Sequence, residues 1–159
     1  MEKLKNKISL SAVNNFIIMT LVFLCVICLF KYLIIEVVIP STLKTSNFLI
    51  SLSPIKNSGA AFSILSSKTT FLIYISFFVL AGISLWVVYY SKTLTKLEML
   101  SVSLLVSGVL VNLYERIVHG YVLDYIKLNF ISFPIFNFAD VAIVSGAVLY
   151  AFILFSKRD

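Results

Sequence analysis

Four long, uninterrupted apolar blocks leave this chain few ways to fold. They run from about Phe16 to Ile39, Phe71 to Tyr90, Leu97 to Tyr114 and Pro134 to Phe155. Each approaches the ~20 residues of helix that a 30 Å hydrocarbon core requires. A soluble domain of 159 residues would be nearer half apolar, in short periodic runs. This chain is 60% hydrophobic, with a mean hydropathy of +1.05. The sequence therefore predicts an all-α membrane protein, a single domain over residues 1–159 with four transmembrane helices.

The net charge of +6 does not indicate nucleic acid, because the basic residues sit at segment ends instead of on one face. Lys3, Lys5, Lys7, Lys92, Lys96, Lys157 and Arg158, seven of the thirteen, fall on one side of the predicted spans. By the positive-inside rule that side is cytoplasmic. Both termini are then inside, and the loops 40–70 and 115–133 outside, with Lys44, Lys56, Lys68 and Lys127. Arg116 and Lys31 also lie toward the outer face, so the bias is moderate. The N-terminal MEKLKNK and the apolar run after it imitate a secretory signal, but the run is too long and lacks a small-residue cleavage site. It reads as a retained helix. Cys25 and Cys28 have a redox-like spacing, yet inside an apolar span with no His nearby they read as unreactive thiols.

The outer loops are unusual. Segment 43–56 (LKTSNFLISLSPIK) alternates loosely, and segment 120–133 (GYVLDYIKLNFISF) is rich in aromatic and β-branched residues with roughly period-two alternation. Both suit a strand or an interfacial element. A small extracytoplasmic β-rich or interfacial piece is expected beside the helices.

Asp140 stands inside the fourth apolar block, where an ionisable side chain costs on the order of 2–3 kcal/mol on insertion scales. Such a residue is by default functional, although an Asp can also cap or bond a neighbouring helix. About 22 Å of helix separates it from Phe155, at 1.5 Å per residue. That places it a turn or two below the outer surface. Asn137, at i−3, shares its face. Asp124 lies in the outer loop, where its apolar neighbours Tyr121, Val122, Leu123, Tyr125 and Ile126 would hold it at a lipid-facing surface. Two carboxylates in one site are the basic equipment for activating water against an amide. Asn112, Glu115 and Arg116 form a polar set at the outer end of the third helix, suited to clamp helices together, with Arg116 neutralising a carboxylate. Ser107 and Gly108, one turn earlier, permit close helix contact. Asn57 opens NSGAAFSIL, where Gly59, Ala60 and Ala61 leave room for another backbone. Its plain alternative is a turn into the second span. His119 has no second ligand residue near it, so no metal is expected.

The stretches NSGAAFSIL (57–65), NLYERIVHGYVLDYI (112–126) and FPIFNFADVAIVSG (133–146) resemble the lipoprotein signal peptidase (signal peptidase II) family, and the resemblance spans nearly the whole chain. It implies that Asp124 and Asp140 are the catalytic pair of a membrane aspartyl endopeptidase. It also implies that Asn57, Asn112, Arg116 and Asn137 support the site, and that Lys31 matches the family lysine at the outer end of the first span. The chain departs from the pattern in three places. Ile27 and Cys28 stand where an Asp-Gln pair usually precedes that lysine, Glu115 replaces the usual Asp in NLYER, and the lead-in reads SGVLVN. The resemblance implies a bacterial cytoplasmic-membrane protein, with a lipidated prolipoprotein as substrate and membrane lipid around it. A monomer is expected, with no metal, cofactor or nucleic acid. The rival readings are a small proton-coupled carrier using Asp140 and a scaffold whose polar residues only bind helices. Both leave Asp124 without a role.

Overall fold

The computed structural model describes residues 8–39, 49–59 and 68–157. Helix α1 spans Leu10–Tyr32 and continues as a π-helical segment, Leu33–Val38. Strand β1 (Ile50–Asn57) precedes α2 (Thr69–Tyr90) and α3 (Lys96–His119). Strand β2 (Val122–Leu128) and α4 (Phe138–Ser156) complete the chain. All four helices are long and apolar enough to cross a membrane. The expected architecture, four such helices and a small β element, is the observed one. The readings made for Lys3, Lys5, Lys7, Lys44, Ala60, Ala61 and Arg158 lie outside the described residues.

Helix α3 is the hub, packed against α1, α2 and α4. Its sequence carries Ser101, Ser103, Ser107 and Gly108, small residues that let neighbouring backbones approach. The three serines are fully buried. Their hydroxyls donate to the carbonyls of Glu98, Phe16 and Leu104, so no polar group is stranded. A Cβ added at Gly108 would overlap the carbonyl oxygen of Ala139 and the Ile143 side chain. One at Gly146 would lie 2.5 Å from the Ser101 carbonyl oxygen. Helices α3 and α4 are therefore in near backbone contact. Phe78, Leu85, Phe152 and Phe155 point outward on α2 and α4, as lipid-facing residues do.

The bundle has two unlike ends. At one, the Ser9 N–H donates to the Ser91 hydroxyl at 3.0 Å, Thr95 and Glu98 form a capping box, and Lys157 pairs with Glu98 at 3.0 Å. At the other, β1 and β2 pair antiparallel, Ile50 with Leu128 and Asn57 with Val122. The register shifts between Leu52 and Ile55, around Pro54, which has no N–H to give to the ladder.

Three helix boundaries differ from the hydropathy reading for physical reasons. Helix α1 begins at Leu10, ahead of Phe16, where the Ser9 hydroxyl caps it by accepting the Ala12 N–H. Helix α3 runs on to His119, past Tyr114, because Asn112, Glu115 and Arg116 find partners within the protein. Helix α4 begins at Phe138, not Pro134. The preceding stretch is extended, and Phe136 bridges Ile126 through hydrogen bonds of 2.8 and 3.1 Å.

Candidate active site

Asp124 reaches the site through a sharp turn. Helix α3 ends at Gly120, whose φ of 78° is left-handed and whose N–H donates to the Arg116 carbonyl at 3.0 Å. Glycine takes this conformation without the penalty a Cβ would bring. The chain reverses there, and β2 brings Asp124 back beside the last turns of α3. The carboxylate is buried, and both of its oxygens accept hydrogen bonds. Asn57 Nδ2 donates to one at 2.8 Å and Asn137 Nδ2 to the other at 2.8 Å.

Asp140 is held by local helix chemistry. Asn137 is extended (φ −129°) and N-caps α4, its Oδ1 accepting the Asp140 N–H at 3.0 Å. Asp140 Oδ2 accepts the Asn137 N–H in return, at 3.0 Å, which closes a capping box. Asn112 Nδ2 then donates to Asp140 Oδ1 at 2.8 Å. Asp140 thus lies in the first turn of α4, at the bundle end that carries the strands. Asn137 precedes the helix instead of sharing its face. Capping and helix bonding both occur, and neither takes the carboxylate out of the cleft.

Asn137 joins the two acids. Its backbone N–H serves Asp140, while its side-chain amide serves Asp124 and, at 3.2 Å, Asn112 Oδ1. Asn57, Asn112, Arg116, Asp124 and Asp140 line one cavity of about 490 Å³, walled otherwise by Ser145 and by apolar residues that include Phe133, Val141 and Val144. Asn57 also shapes its own turn, since its Oδ1 accepts the Gly59 N–H at 2.9 Å. Asn57 thus makes a local turn and also lines the cavity.

Burial pushes Asp124 up to about 6, and the negative charge of Asp140 acts in the same direction. The Asn57 and Asn137 hydrogen bonds and the Arg116 charge oppose that rise. The guanidinium does not close on either acid. Arg116 donates to the carbonyls of Asn112 and Gly59 at 3.3 and 3.1 Å, and its buried Nε has no partner among the described residues. Arg116 was expected to neutralise a carboxylate; among the described residues it forms no salt bridge, its charge acts on Asp124 from a distance, and the ion pair at this end of the bundle joins Glu115 to Lys31.

Of the neighbours of Asp124 expected at a lipid-facing surface, Val122, Tyr125 and Ile126 are buried, because β2 is flanked by β1 on one edge and Phe136 on the other and packs against α3, whereas Tyr121 and Leu123 are half-buried. Tyr125, which burial pushes up to about 12, accepts the Phe138 N–H at 3.3 Å and steadies the start of α4. Two contributors escape a sequence reading. The Gly59 carbonyl and the Leu123 N–H are backbone groups, with no residue type to betray them.

The family described as Signal peptidase (SPase) II matches residues 18–156. A lipoprotein signal peptidase of Clostridium acetobutylicum is 36% identical over 111 residues, 68% of this chain and 71% of the relative. One of Caldicellulosiruptor bescii is 37% identical over 109 residues, 69% of each chain. A solved structure described as a bacterial membrane enzyme, obtained in meso at 2.3 Å resolution, matches with a TM-score of 0.73 at 25% identity. That match covers 92% of this chain and 90% of the other. A second such structure, at 1.9 Å, gives a TM-score of 0.67 at 28% identity over 89% and 92%. Four membrane-capable helices and these relatives mark a multi-pass bacterial membrane protein. The chain belongs to the signal peptidase II family.

Proposed function

We propose that this chain is a membrane aspartyl endopeptidase that removes the signal peptide from diacylglyceryl-modified prolipoproteins, cutting before the lipidated cysteine. The observation that carries the reading is the meeting of Asp124 and Asp140 on one cavity, linked through Asn137. Two neighbouring carboxylates do not readily ionise together, so the pair holds one proton between them near neutral pH. The ionised acid takes a proton from water as the water oxygen bonds the scissile carbonyl carbon. The protonated acid gives its proton to the substrate, and the carbon–nitrogen bond breaks with the amine leaving protonated. Water and the two carboxyls supply every atom moved.

Arg116 supports the reading by its charge and its place, because it lines the cavity together with both acids, and a guanidinium there can stabilise developing negative charge. Asn57 and Asn112 hold the acids and face the same space. The apolar wall from Phe133 to Val144 suits lipid chains or the hydrophobic core of a signal peptide. The basic residues at the opposite bundle end favour a cytoplasmic location for it and for both termini, with the strands and acids at the outer face of the cytoplasmic membrane. The chain acts as one domain and as a monomer.

Asp124→Asn and Asp140→Asn should each abolish cleavage of a lipidated precursor while the protein stays inserted and folded. Globomycin, a cyclic peptide inhibitor of this family, should bind the wild-type protein. Proton-coupled transport without cleavage or globomycin binding would favour the carrier instead.

A further inference from the structure

Glu115 is next to Arg116 in sequence, yet it turns away from the candidate catalytic cavity. It lines a second cavity, of about 560 Å³, between α1 and α3. The residue is buried, and both carboxylate oxygens are occupied. One pairs with Lys31 of α1, and the other accepts the Leu123 N–H at 2.8 Å. Leu123 immediately precedes Asp124 on β2. A single carboxylate therefore joins α1, α3 and the strand that bears one of the two acids. Hydrogen bonds to a charged acceptor are roughly twice as strong as neutral ones, so this is a firm anchor for a two-stranded sheet.

We propose that Glu115 is a positioning residue: it sets the height of β2 against α3, and with it the place of Asp124 relative to Asn112, Arg116 and Asp140. This rests on the reading of Asp124 as a catalytic carboxylate. The side-chain length is part of the inference. The family pattern carries Asp at this position and an Asp-Gln pair where this chain has Ile27 and Cys28. Ile27 is buried with Val111, and Cys28 lines the second cavity, so neither brings a carboxylate to Lys31. The extra methylene of Glu adds roughly 1.5 Å of reach. With it, one carboxylate touches the lysine of α1 and the amide of β2 together.

The consequence runs against ordinary conservatism. Glu115→Asp keeps the charge and restores the usual family residue, but draws the acceptor away from Leu123. Glu115→Gln loses the charge but keeps the length and an acceptor oxygen, and Lys31, partly exposed, can turn its ammonium toward water. With purified protein in micelles and a lipidated precursor peptide, Glu115→Asp should lower kcat about tenfold to hundredfold. That is the scale for misplacing a catalytic group by about 1 Å. KM should stay within about twofold, because no substrate contact is removed. Glu115→Gln should retain more kcat than Glu115→Asp, and amide exchange over residues 121–126 should be faster in the Asp variant than in the Gln variant. Melting temperatures in the same micelles check that both are folded. Wild-type kcat in Glu115→Asp, or the reverse order of the two variants, overturns the proposal. Asp124→Asn assayed alongside separates the two levels. Cleavage there removes the catalytic reading itself, whereas no cleavage there with an unaffected Glu115→Asp removes only the positioning role.

Discussion

Asn137 does three things with one side chain: it caps α4, holds Asp124 and touches Asn112. Its loss should therefore be visible in two independent measurements. Asn137→Ala removes an N-cap, which is worth about 0.5–2 kcal/mol, and should lower the melting temperature accordingly. It also removes a donor that opposes the burial-driven rise of Asp124, which lies at about 6 with that hydrogen bond in place. The wild-type enzyme should lose activity below about pH 6, where Asp124 takes up a proton and the pair lacks a base, with the apparent value belonging to the pair. In Asn137→Ala that acidic limb should move to higher pH. A limb that stays in place would detach Asn137 from Asp124. The sign for stability follows from the same shift. Asp124 has a folded value above its ordinary 3.8, so its contribution is fully present below that value and is lost as pH rises through about 6. At this scale the two acids were legible from sequence, since a carboxylate in an apolar run needs a reason. The asparagines stood out as polar residues beside or within apolar runs, and the motif resemblance added their expected role at the site. The Glu115 bond to Leu123 was not legible, because its partner is a backbone amide and its geometry depends on where β2 docks.

Gly120 shows how an element boundary fixes a site. Its left-handed backbone ends α3 and starts β2 within two residues, and no atom lies within 4 Å of an added Cβ. Gly120→Ala should therefore destabilise through backbone strain alone, by about 1–2 kcal/mol. Gly120→Asn should be milder, because Asn tolerates this conformation. Thermal unfolding in detergent would show the order, and equal melting temperatures for Ala and Gly would contradict it. The second span was read closely, at about Phe71 to Tyr90 against Thr69–Tyr90, because a uniform apolar run has little other use in a membrane protein. The third was read short, since hydropathy falls where Asn112, Glu115 and Arg116 enter. The fourth was read long, because the apolar run FPIF satisfies a strand bridge as well as a helix start, and composition does not separate them. The break in the ladder around Pro54 was not read from sequence, where segment 43–56 shows only loose alternation.

The whole molecule places a polar cluster at one end of an otherwise lipid-adapted bundle. Small residues on α3 hold α4 close, and the capping box at the start of α4 presents Asp140. The turn after α3, the Asn57 bond and the Glu115 anchor bring Asp124 to the same cavity. The four-helix plan and the small β element were legible from the apolar blocks and the alternating outer segments. The convergence of residues 57, 112, 124 and 140 was implied by the motif resemblance and by no local pattern, because it arises from helix packing and strand docking. The central claim is that Asp124 and Asp140 act as one unit, and groups that act as a unit are strongly non-additive when removed. The most direct test is a kinetic comparison of Asp124→Asn, Asp140→Asn and the double variant on one lipidated precursor. The account predicts that each single change loses as much activity as both together. Losses that multiply in the double variant, or cleavage surviving in either single variant, would contradict it.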